Sequence, residues 1–141
     1  MATSIASTRI EKLADLVSLS QSELIEEITS GLPAEFAREL ALRLGLTLEE
    51  VGALLRLTPR TLQRRLEEGR LELGESERLW ELVRLFFRAI DVLESDKGAV
   101  LWFKSPIQAL GWATPLSFAR TAVGLRELEN ILGRVEHGVF S

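Results

Sequence analysis

The sequence predicts an all-α protein, and three observations carry that prediction. Apolar residues recur at spacings of three and four, as in Phe36, Leu40 and Leu44, in Leu48, Val51 and Leu55, and in Leu125, Leu128, Ile131, Leu132 and Val135. No comparable stretch alternates with the period of two that a half-buried strand requires. All four prolines stand where a helix could begin, because proline is tolerated at the first helical position, where no intrahelical donor is needed.

The elements follow in order. The first twenty residues read as a frayed arm or a short helix; they contain no apolar signal core and soon carry Glu11 and Asp15, so no targeting segment is read. Ser20 and Ser22 open an amphipathic helix over 21–30. Leu32-Pro33, following Gly31 at a break, marks a helix start near 33. Thr58-Pro59, Ser105-Pro106 and Thr114-Pro115 each place a capping residue directly before proline and mark starts near 59, 106 and 115.

The segment 76–95 is apolar on more than one face, through Leu79, Trp80, Leu82, Val83, Leu85, Phe86, Phe87, Ile90, Val92 and Leu93. It is either a central core helix or a dimer contact. Residues 98–103, GAVLWF, fit a short strand on periodicity alone, but their neighbours are helical and no pairing partner is evident, so they are read as helix. Gly111 and Gly138 suit left-handed helix ends, Gly124 and Gly133 would allow close helix packing, and the final helix should stop near His137.

With 141 residues the chain has room for one domain or two small ones. Hydrophobic residues make up 46% and charged residues 27%, a globular balance, and no apolar run approaches the roughly 20 residues that span a bilayer. No membrane association is expected. The absence of cysteine excludes disulfides, thiolate metal sites and thiol redox chemistry, and it is compatible with a reducing cytoplasm, the expected location.

The formal net charge of −4 is unevenly spread. Residues 1–55 are acidic, whereas Arg56, Arg60, Arg64, Arg65 and Arg70 face only Glu67 and Glu68 within residues 56–70. A basic island in an acidic chain is either a compact DNA-reading element or a solvated arginine face.

Residues 46–68 supply a framework for the first alternative. They read as a helix over Thr47–Leu55, a short turn and a second helix from Pro59. Gly52 would let the two helices cross closely, Leu57 would plug the turn, Thr58 would cap the second helix, and Leu62 and Leu66 would anchor it inward. The opposite face then presents Arg60, Thr61, Gln63 and Arg64 to base edges, with Arg56 or Arg65 on phosphate; these residues and Thr58 form the candidate DNA-binding set. The arrangement resembles the helix-turn-helix of the Xre/Cro repressor class. Two departures stand out: Arg56 occupies the position of a turn glycine, and Arg65 that of an inward apolar residue, unless the register shifts and Leu66 substitutes.

Catalysis has little to draw on. His137 is the only histidine, tyrosine is absent, and no metalloprotease, P-loop or nucleophile-elbow pattern occurs. No catalytic residue, metal site or cofactor is expected.

The most specific text is residues 105–141. Pro106, Leu110-Gly111, Thr114-Pro115-Leu116, Gly124, Leu132-Gly133-Arg134 and the ending Glu136-His137-Gly138-Val139-Phe140-Ser141 resemble the C-terminal, toxin-binding domain of the Xre/MbcA/ParS antitoxins. With the helix-turn-helix upstream, the resemblance covers roughly residues 40–141. It implies an antitoxin of a type II toxin–antitoxin system that neutralises a RES-domain, NAD-consuming toxin and binds its own operator DNA. Arg134, Glu136, His137, Gly138, Val139, Phe140 and Ser141 are then the candidate toxin-binding residues. Read from the residues alone, the terminal Phe140 either folds back on its own core or docks on a partner; the resemblance implies docking. The expected organisation is an arm and short helix over 1–32, the helix-turn-helix and a dimerisation helix over 33–97, and a toxin-binding domain over 98–141. A homodimer is expected, since it would read two half-sites. The alternative is a stand-alone transcriptional regulator without a toxin, which the presence or absence of an adjacent toxin gene separates.

Overall fold

The computed structural model describes residues 10–138, whose regular elements are all helical, with no strand and only two isolated bridges, Pro33 with Arg70 and Ile107 with Ala113. Val139, Phe140 and Ser141 of the expected toxin-binding set lie outside the described residues. The helices are α1 (Leu13–Val17), α2 (Gln21–Ser30), α3 (Glu35–Leu44), α4 (Leu48–Leu54), α5 (Pro59–Glu68), α6 (Leu73–Leu93), α7 (Asp96–Lys104), α8 (Pro115–Phe118) and α9 (Ala122–Glu136). A single 3₁₀ turn, Gln108–Leu110, lies between α7 and α8. The chain divides into two compact units, one ending at Trp80 and one starting at Glu81.

Hydroxyl caps set most of the helix starts. The side chains of Ser20, Thr47, Thr58, Ser95, Thr114 and Thr121 each accept a hydrogen bond from the backbone N–H three residues on. At Ser20 and Thr47 the third residue, Glu23 or Glu50, reaches back to the cap's own N–H and completes a capping box. Pro59 and Pro115 stand at the starts of α5 and α8, as their threonine-proline pairs predict.

The other two prolines behave differently. Pro33 precedes α3 by two residues and bridges to Arg70, and no helix begins at Pro106. Ser105 instead terminates α7: its backbone is extended, as a residue before proline prefers, and its hydroxyl donates to the Leu101 carbonyl at 2.6 Å. Residues 98–103 lie within α7, so the short apolar run is helix and not strand.

In the first unit α1 packs on α3, and α4 packs on α3 and α5. Leu13, Leu16, Leu40, Leu55 and Leu79 are each 1% exposed or less. The segment before α3 is tied to the segment after α5: Ala34 N–H donates to the Gly69 carbonyl at 3.0 Å, and Leu71 N–H to the Leu32 carbonyl at 2.9 Å. Leu32 N–H in turn donates to the buried Ser76 hydroxyl at 2.9 Å.

In the second unit the inward part of the apolar arc of α6 joins the core, while Phe87, Ile90, Val92 and Leu93 are half-buried. Leu82, Val83, Leu85, Phe86 and Ala89 are buried, together with Ala99 and Phe103 of α7 and Leu128, Ile131 and Leu132 of α9. The Phe86 and Phe103 rings lie 6.3 Å apart, within aromatic pairing distance. Arg84 bridges Glu81 and Glu129 at 2.8 and 3.1 Å, and Arg88 reaches Glu129 at 3.4 Å and Glu136 at 2.9 Å, so a charged lattice ties α6 to the length of α9.

Two glycines expected to serve packing differ in need. A methyl group at Gly124 would collide with the Phe118 carbonyl, the point where α9 passes the end of α8. At Gly133 it would meet only the tip of Arg88 at an ordinary 3.9 Å, so close approach does not require glycine there. Gly124→Ala should therefore lower stability by about 2–3 kcal/mol, because the obstacle is backbone. Gly133→Ala should raise it by about 0.5–1 kcal/mol through helix propensity alone. Urea unfolding of both variants checks the opposite signs.

Candidate functional site

The reading element is built on a turn held by several backbone hydrogen bonds. Leu57 N–H donates to the Gly52 carbonyl at 2.8 Å and Arg56 N–H to Ala53 at 3.0 Å, while Arg78 of α6 donates to the Leu55 carbonyl at 2.8 Å. Leu57 is 9% exposed and plugs the turn as expected. A methyl on Gly52 would stand 2.9 Å from the Leu62 side chain, which accounts for the small residue where α4 crosses α5. Arg56 adopts φ +64, the left-handed region that disfavours side chains. The departure noted at this position is thus a real backbone burden: the turn keeps the geometry that glycine would take freely.

Thr58 accepts the capping bond from Thr61 N–H at 3.2 Å and donates to the Thr61 hydroxyl at 3.0 Å. Arg60, Gln63 and Arg64 follow on the exposed face of α5, at positions that helical geometry stacks on one side, with Thr61 half-buried beside them. Gln63 reaches Glu67 at 3.4 Å and Arg64 only grazes Glu68 at 4.0 Å, with both side chains of that ion pair more than half exposed. These exposed pairings are weak and leave the side chains able to exchange partners.

Arg65 departs from the sequence reading. It is 6% exposed and points inward beside Leu62, while Leu66 is only half-buried; there is no shift of register. A residue expected on phosphate is instead committed to the fold. Its Nε and Nη2 donate to the two carboxylate oxygens of Glu75 at 2.8 and 2.9 Å, in the bidentate geometry that suits guanidinium to carboxylate. Glu72 and Glu68 add flanking charge at 3.2 and 3.7 Å. Glu75, itself 6% exposed, also accepts the Glu72 N–H at 2.9 Å. Burial works to raise its carboxyl, but the hydrogen bonds from Arg65 and Glu72 and the charges of Arg65 and Arg78 outweigh it, and the group sits below its ordinary value. Nothing in the sequence announced this pair, because its members lie ten residues apart on different helices.

The C-terminal candidates gather at the end of α9. Arg134 approaches Glu127 at 3.9 Å, Glu136 is held by Arg88, and His137, at the helix terminus, has its Nδ1 2.9 Å from the Gly133 carbonyl. Gly138 takes φ +74 and turns the backbone out of the helix, as expected. The 3₁₀ turn likewise ends on a left-handed Gly111.

A helix-turn-helix with an exposed basic recognition face, followed by a separate helical unit, defines a DNA-binding regulator with a second helical domain. The known relatives make the class specific. Residues 23–84 match the family model described as the antitoxin Xre-like helix-turn-helix domain, and residues 88–138 match the antitoxin Xre/MbcA/ParS C-terminal toxin-binding domain. An Antitoxin Xre of Yersinia enterocolitica serotype O:8 / biotype 1B is 34% identical over 120 residues, spanning 84% of this chain and 81% of its own. Another, of Photorhabdus laumondii subsp. laumondii, is 39% identical over 75 residues, about half of each chain. A chain in the crystal structure of the M. tuberculosis MbcT–MbcA toxin–antitoxin complex superposes with a TM-score of 0.58 at 27% identity, covering 77% of this chain and 96% of that one. The protein belongs to the Xre family of antitoxins, and its biochemical role is that of an antitoxin in a toxin–antitoxin system. Among the described residues, no helix is long and apolar enough to cross a membrane, and no group of side chains is arranged to hold a metal ion.

Two outcomes test this geometry. Replacing Glu75 by Gln removes the bidentate buried partner of Arg65 and leaves it only the exposed Glu72 and Glu68, which should cost about 2–4 kcal/mol at neutral pH. Because the Glu75 carboxyl is depressed in the folded state, the stabilisation is present above the ordinary value of 4.5 and is lost as pH falls through the lower folded value. The stability gap between the two proteins should therefore close on acidification, as urea titrations at several pH values would register. Arg56→Gly should raise stability by about 0.5–1 kcal/mol, the relief of a left-handed side chain less the added chain entropy of glycine; a lowered melting temperature would contradict the strain.

Proposed function

We propose that this chain is the antitoxin of a type II pair, that it neutralises a RES-domain, NAD-consuming toxin through its C-terminal domain, and that it represses its own operon through the helix-turn-helix. The observation that carries the reading is the succession of both antitoxin domains in one chain, with an exposed arginine-rich recognition helix on the first. Arg60, Thr61, Gln63 and Arg64 are assigned to base edges in the major groove and Arg56 to phosphate, with Thr58 fixing the start of the helix. Arg65 is left out of the contact surface because it is buried against Glu75. The domains are assigned as an arm and short helix over 1–32, the reading domain with a dimer-forming helix over 33–97, and the toxin-binding domain over 98–141. Operator binding by a homodimer fits two half-sites, and the cytoplasm is the place where both partners would be met.

On the toxin side, Arg134, Glu136, His137 and Gly138 bring the chain out of α9, and Val139, Phe140 and Ser141 enter the toxin's cleft, where a buried phenyl ring would act as an anchor. Two experiments address the two functions separately. The Arg60→Ala, Arg64→Ala double variant should lose affinity for the protein's own promoter by about 2–6 kcal/mol, at about 1–3 kcal/mol for each base-reading arginine, with toxin binding unchanged. Removal of residues after His137 should leave fold and promoter binding intact and weaken toxin inhibition by about 2 kcal/mol or more. Normal growth of cells co-expressing the toxin and the truncated chain, at matched levels, would show that inhibition comes from the helical body. Light scattering that finds only monomer, free and on DNA, would remove the dimer.

A further inference from the structure

Trp112 lies between the 3₁₀ turn and α8, and the residue is 65% exposed. Among the described phenylalanines and tryptophans it is the only one exposed rather than buried or half-buried. Its backbone takes φ +70, immediately after Gly111 at φ +65. Two successive left-handed residues form a sharp loop, and only the first of them is a glycine. The loop is firmly built: Ile107 N–H donates to the Ala113 carbonyl at 3.1 Å, Trp112 N–H to Ile107 at 2.9 Å and Gly111 N–H to Gln108 at 2.9 Å, with Leu110 buried.

The loop backbone does not call for this residue. Glycine would satisfy the backbone without strain, and a polar side chain would satisfy the solvent. A large aromatic held out on a rigid, strained loop has the properties of a preorganised binding anchor: wide contact area and few torsions left to freeze. The position falls inside residues 88–138, the toxin-binding domain by family, and α8 and α9 follow directly from the loop.

We infer that Trp112 is a second anchor for the toxin, presented by the 107–113 loop and acting independently of the C-terminal tail. The inference rests on the proposed pairing with a toxin. A second copy of the chain or duplex DNA are the other occupants such a ring could meet, and both are outcomes of the test below.

The test uses the full-length chain and a purified cognate RES-domain toxin, with Trp112→Gly as the main variant. Three readouts should separate. The melting temperature should rise by about 2–4 °C, since the left-handed strain is relieved. Toxin affinity should fall by about thirtyfold or more, the scale of a binding hot spot. Promoter affinity and oligomeric state should not change. Trp112→Asn, which tolerates the left-handed backbone while remaining polar, should show the same loss of toxin affinity and guards against an effect of glycine flexibility. Unchanged toxin affinity in both variants, with the tail truncation still weakening binding, would overturn this inference and leave the proposed function standing. A wild-type chain that fails to bind the toxin would bring down both. A variant that changes dimerisation or promoter binding instead would reassign the ring to a second copy or to DNA.

Discussion

The reading domain depends on a single buried ion pair. Arg65 and Glu75 meet in bidentate contact with both side chains 8% exposed, and their geometry decides which side of α5 faces out. Once Arg65 is fixed inward beside Leu62, helical periodicity leaves Arg60, Gln63 and Arg64 no position but the solvent side. The pair also fastens the first turn of α6 to α5, so the recognition helix is held at its back by charge as well as by apolar contact. Two desolvated charges are an expensive way to join two helices, and a pair of leucines could be equally stable. What the pair adds is direction. A guanidinium fork accepts a carboxylate in few orientations, whereas leucine would tolerate rotation of the helix about its axis.

Beneath this lies a uniform local grammar. Six helices start on a serine or threonine whose hydroxyl satisfies a backbone N–H that the helix itself cannot. Short helices such as α4, with seven residues, gain little from propensity, and their boundaries are held by such caps and by the apolar face they bury. Here local signals and the tertiary arrangement agree, which is why the helical class and the helix-turn-helix could be read directly from residue order.

Legibility ended where meaning ceased to be local. The Thr58-Pro59 and Thr114-Pro115 pairs mark helix starts because cap and first turn are adjacent in the chain. Ser105-Pro106 has the same spelling and the opposite outcome, because a helix already running into it turns the same two residues into a stop. Arg65 looked like one more member of a basic island, and only the position of Glu75 on another helix shows it to be interior. The same holds for Arg88 and Glu136, 48 positions apart in sequence and 2.9 Å apart in space. Arg56 was recognisable as an anomaly in the turn, since the required backbone is set by the motif itself. Trp112 drew no notice, because its left-handed φ comes from the hydrogen bonds of the 107–113 loop, a shape no spacing rule encodes.

The basic face of α5 belongs to a chain whose net charge is −4 and whose first 55 residues are acidic. Beyond a Debye length of about 8–10 Å both signs of charge are screened; within it the arginines nearest the duplex count most. A locally basic helix in a chain of net negative charge discourages the indiscriminate adhesion to duplex that a uniformly cationic protein of this size would show. The acidic remainder therefore contributes to selectivity without touching a base.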